Sequence, residues 1–75
     1  MTLKYVGERA FDRRLAEFTY DDHEEERFMK IADALQEAGY DIDTGVQNWA
    51  AIKVEDRDEF DEVKELFQDL RRKIK

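Results

Sequence analysis

The segment from Asp56 to Lys75 constrains the fold most. Its large apolar residues are Phe60, Val63, Leu66, Phe67, Leu70 and Ile74. Steps of three and four place them on one face of an α-helix. Asp56 stands where an N-cap is wanted, with Glu59 three residues on as its capping-box partner. Asp58, Glu59, Asp61 and Glu62 open the segment, and Arg71, Arg72, Lys73 and Lys75 close it. That order complements the helix dipole at both ends. A helix with such a stripe needs an apolar surface elsewhere in the chain to cover it.

A second stripe, Phe28, Ile31, Ala32, Leu35 and Ala38, predicts a helix over about 22–38. Asp22 with Glu25 forms a candidate capping box, and Gly39 suits the left-handed position that ends a helix. Between the helices, Trp49 to Val54 alternates as a strand does. Ala50, Ile52 and Val54 share one face, and Trp49, Ala51 and Lys53 share the other. Tyr40 to Asp43 reads as a short partner strand, with Asp43-Thr44-Gly45 as the tight connection.

Residues 2–20 fit a hairpin turning near Asp12-Arg13, which pairs Phe11 with Arg14 and Tyr5 with Tyr20. Leu3, Tyr5, Phe11, Ala16, Phe18 and Tyr20 then share a face, opposite Lys4, Glu8, Glu17 and Thr19. The competing reading is a helix from Glu8 to Phe18, since Phe11, Leu15 and Phe18 also fit helical spacing and the turn lacks Gly or Asn. The hairpin explains more of the pattern.

At 75 residues the chain is one domain, 1–75. A domain this short buries only about 60% of its unfolded surface, so its stability is modest. Five Phe, three Tyr, Trp49, five Leu and four Ile nevertheless suffice for one core. The expected class is α+β: a small two-layer sandwich, with an antiparallel sheet of 3–4 strands and two helices on one face. The element order is ββαββα or ββαβα. No cysteine is present, which excludes disulfides and thiolate chemistry. No apolar run approaches the ~18 residues of a membrane span. The first residues lack the apolar region of a signal peptide, so a cytoplasmic protein without a membrane partner is expected.

Chemistry-bearing patterns are few. His23 is the only histidine, set among Asp21, Asp22, Glu24 and Glu26. Asp22 and Glu26, four apart with His23 beside them, suggest a metal site. A transition metal prefers more nitrogen or sulfur ligands than one His supplies, and the pattern of a calcium loop is missing. A solvated first helical turn explains the cluster better. Serine is absent, and neither phosphate-binding glycine motif occurs. No catalytic, metal or cofactor residue is therefore assigned, and a non-enzymatic protein is expected.

Surface charge leaves three readings. Of 20 acidic and 13 basic residues, segment 21–43 holds 9 and 2, which is −7, the net charge of the whole chain. A small acidic protein-interaction or regulatory module is the first reading. It would meet a basic protein through acidic positions (Asp21, Asp22, Glu25, Glu26, Asp58, Glu62, Glu65, Asp69), through an open sheet face bearing Trp49, or through both. It would be a monomer or a weak homodimer. The second is a nucleic-acid-binding module using Arg9, Arg13 and Arg14, against which the net charge weighs. The third is an acidic nucleic-acid mimic. Asp58, Glu62, Glu65 and Asp69 line one face of the last helix, repeating every ~5–6 Å, and together with segment 21–43 they would imitate a nucleic-acid backbone.

Overall fold

The computed structural model describes residues 1–8 and 13–74. Strands β1 (Thr2–Glu8) and β2 (Arg13–Thr19) form an antiparallel hairpin. A 3-10 turn over Asp22–Glu24 leads into helix α1 (Glu25–Glu37). Strands β3 (Ile42–Val46) and β4 (Trp49–Lys53) make a second hairpin, and helix α2 (Arg57–Lys73) ends the chain. The sheet order is β1-β2-β4-β3, antiparallel throughout. The element order is thus ββαββα, an α+β fold with both helices on one face.

The core lies between that face and the helices. Strands contribute Ala16, Phe18, Ala50 and Ile52; helices contribute Phe28, Ile31, Leu35, Phe60, Val63 and Phe67. Phe18 is its centre, with ring centroids 5.0 Å from Phe67 of α2 and 5.8 Å from Phe28 of α1. One side chain of β2 therefore touches both helices. Tyr5 of β1 meets Phe60 edge-on at 5.1 Å, and the Arg57 guanidinium lies 5.1 Å from the Tyr5 ring centre. The far end of α2 is closed by α1. Arg27 donates to the carbonyls of Ile74 at 2.8 Å and Arg71 at 2.6 Å. Carbonyls at a helix end lack partners within the helix, and a cation there also suits the dipole.

Several local expectations are corrected. The first hairpin pairs Tyr5 with Ala16 and Thr2 with Thr19, and Arg14 lies opposite Gly7, so the register is shifted by four residues. Arg13 is in β2 rather than in a turn; Phe11 and Asp12 lie outside the described residues. An even shift keeps every residue on its expected face, because strand side chains alternate with period two. The second hairpin turns at Gln47-Asn48, not at Asp43-Thr44-Gly45. Asn48 takes φ 62°, which asparagine tolerates better than most residues. Gly45 sits inside β3, where the ladder shifts register between Asp43 and Val46. The first helix opens with the 3-10 turn, and its cap runs between Asp21 and Glu24 rather than Asp22 and Glu25, the Glu24 N–H donating to the Asp21 carbonyl at 2.9 Å. The Glu24 carboxylate accepts from the Asp21 N–H at 3.2 Å.

Candidate functional site

The face of the sheet turned away from the helices is built in cross-strand rows. One row is Thr2, Thr19, Trp49 and Val46; the next is Lys4, Glu17, Ala51 and Asp43; the third is Val6, Leu15 and Lys53. The register of β2 against β4 brings Trp49 here by simple alternation, since its neighbour Ala50 is in the core. Trp49 is half-buried and Val46 is 54% exposed. Ala51 is only 5% exposed, yet lies outside the main core. Its small side chain leaves a depression between larger neighbours. A hollow of about 440 Å³ opens there, lined by Leu15, Asp41, Asp43, Trp49, Ala51 and Lys53.

The two aspartates of this hollow come from the acidic segment, delivered by the lead-in to β3 and by β3 itself. Asp43 is held by the bulge: its Oδ1 accepts from the Gly45 N–H at 3.0 Å. Asp41 makes no hydrogen bond or ion pair among the described residues. Sequence reasoning picks out Trp49 but misses Asp41 and Asp43. The available signal is their place in segment 21–43, but their nearness to Trp49 depends on the β3 register.

The other expected contact residues are elsewhere. Glu25 and Glu26 are on the first turn of α1, both exposed. Asp58, Glu62 and Glu65 belong to α2, whose apolar stripe faces the core. These helices occupy the opposite side of the sheet from Trp49, so the acidic helix surfaces and the Trp49 face do not form one patch. Asp69 is bound to Arg72 at 2.6 Å, which interrupts the carboxylate row. Asp22 accepts from Asn48 Nδ2 at 2.9 Å, and the same nitrogen donates to the Tyr20 carbonyl at 2.9 Å. Asn48 thus ties the β3–β4 turn to the start of α1.

Around His23, ligand atoms of Asp21, His23 and Glu24 lie within 4.8 Å of one another. Glu24 is already committed: both its oxygens accept from the Met1 ammonium at 2.8 Å. This bond, and then the Asp21 N–H, holds its carboxyl below the ordinary carboxylate value. Asp22, next to His23 in the sequence, is turned to Asn48 instead. Tyr40 is shifted the other way, its phenol pushed up by burial and then by Glu62 and Glu59.

Of the three arginines, Arg14 donates to the Glu55 carbonyl at 2.8 Å, and Arg9 lies outside the described residues. A separate basic hollow of about 470 Å³ is lined by Arg27, Gln68, Arg71 and Arg72. Arg27 and Arg72 there already serve α2, through the closing bonds and the Asp69 pair. Among the described residues no helix is long and apolar enough to cross a membrane. No protein-family model, curated protein or solved structure matches the chain.

Proposed function

We propose that the chain is a small non-enzymatic protein-interaction module of the cytoplasm, contacting its partner with the open face of the sheet. The observation that carries this reading is the composition of that face. Trp49 and Val46 stand on a side of the sheet that the helices leave uncovered, beside Asp41 and Asp43. Protein interfaces commonly combine an aromatic or apolar centre with a charged rim. Binding is favoured over catalysis by what the described residues bury: no polar or charged residue is among them. General acid catalysis draws on a carboxyl raised by burial.

Affinity capture from the native host tests the reading, using the wild type beside Trp49→Ala. The captured protein is then purified and its binary affinity measured. Loss of a central interface tryptophan should weaken binding by about tenfold or more. An affinity unchanged in Trp49→Ala overturns the assignment of this face. Sedimentation at several concentrations reports whether the same face joins two copies of the chain.

A further inference from the structure

The hollow over Ala51 has a chemistry more specific than the face around it. Resting on the reading of that face as a contact surface, we propose that this hollow receives an arginine side chain from an exposed basic segment of a partner protein.

Shape and charge point to the same occupant. The floor is the Ala51 methyl, and Trp49 and Leu15 supply apolar wall. Asp41 and Asp43 supply two carboxylates against the single ammonium of Lys53. An apolar occupant would desolvate these carboxylates without pairing them, which is costly. An anion would meet the local carboxylates and the field of a chain at −7. A cation is stabilised by both. Within the cations, a guanidinium is planar, stacks on an indole and donates in a fork to carboxylates. Asp43 keeps its second oxygen for such a fork while Oδ1 holds Gly45, and Asp41 has no competing partner among the described residues. The Lys53 stem can line the wall while its charged end turns to water. The position of the hollow agrees with this: β3 is an edge strand, exposed from Asp43 to Val46, so a partner segment can approach from the side.

Trp49 is the only tryptophan, so its fluorescence reports the site directly. The probe is a short peptide of alternating arginine and glycine, compared with its lysine counterpart. Titration at low salt should shift Trp49 emission saturably, with the lysine peptide several-fold weaker. Ala51→Leu fills the hollow, and the Asp41→Asn/Asp43→Asn double variant removes its charge. Each should weaken arginine-peptide binding by about tenfold. Glu62→Gln/Glu65→Gln removes the same charge from α2 and should change binding by less than about twofold. Circular dichroism and thermal melting confirm that each variant is folded; if Ala51→Leu is not, the aspartate pair decides. The proposal is overturned by absence of binding, by wild-type binding in the aspartate double variant or a folded Ala51→Leu, or by equal losses in the two charge variants. None of these outcomes alters the capture experiment with Trp49→Ala, which judges the broader reading separately.

Discussion

At Glu24 one carboxylate joins three parts of the chain: the Met1 ammonium, the Asp21 backbone and the turn that opens α1. These partners favour its charged form, so its folded pKa lies below the unfolded value of about 4.3. A depressed carboxylate contributes stability that is fully present above the unfolded pKa. It is lost as pH falls through the folded pKa. The stability gap between wild type and Glu24→Gln should therefore be constant between about pH 5.5 and 6.5 and shrink below about pH 4. Urea unfolding of both proteins across acid pH measures this. A gap that does not change with pH would assign the role of Glu24 to packing instead. Glutamine keeps an acceptor for the Asp21 N–H, so the comparison isolates the charge.

Among the elements, the helices are the most legible in the sequence, because their stripes and caps are local. Asp56 does accept from the Glu59 N–H, at 2.9 Å, and Gly39 does take the positive φ, 103°, just beyond α1. Asp56→Ala should cost about 1 kcal/mol by leaving that N–H without its partner. In a domain this size the loss lowers the melting temperature by roughly 4–8 °C. Asp56→Ser, which restores an acceptor, should recover most of it; equal melting of Asp56→Ala and wild type would refute the cap. Strand faces are legible for a different reason. The expected hairpin of β1 and β2 is misregistered by four residues, yet Phe18 and Ala16 stay on the core face. Turns are not legible, because a glycine signals a bulge as readily as a turn. Gly45 marks the bulge, while Asn48 makes the turn with help from Tyr20 and Asp22. Misplacing that turn hides the register of β3, and with it the meeting of Asp41, Asp43 and Trp49.

For the molecule as a whole, the charge excess of segment 21–43 is spread over two surfaces. Glu26, Asp33 and Glu37 are exposed on α1, whereas Asp41 and Asp43 reach the hollow on the other side of the sheet. The radius of gyration is 11.8 Å. At ~0.01 M salt the screening length of ~30 Å exceeds this, so the charges repel across the whole fold; at ~0.15 M it is ~8 Å. The exposed pairs Arg57–Asp61 and Arg72–Asp69 are local and contribute little, about 0–1 kcal/mol each. Repulsion should therefore dominate the salt response, and melting temperature should rise from ~0.01 to ~0.15 M sodium chloride. Glu37 makes the idea specific. It lies in the last turn of α1, where a negative charge opposes the dipole, and four residues from Asp33, a like charge. Glu37→Gln should raise the melting temperature by about 2 °C at low salt, and by less once salt screens both effects. Thermal melts of the two proteins at both salt concentrations provide the measurement. A wild-type melting temperature that falls with salt would mean that attractive contacts, not the excess of carboxylates, set the electrostatic balance of the fold.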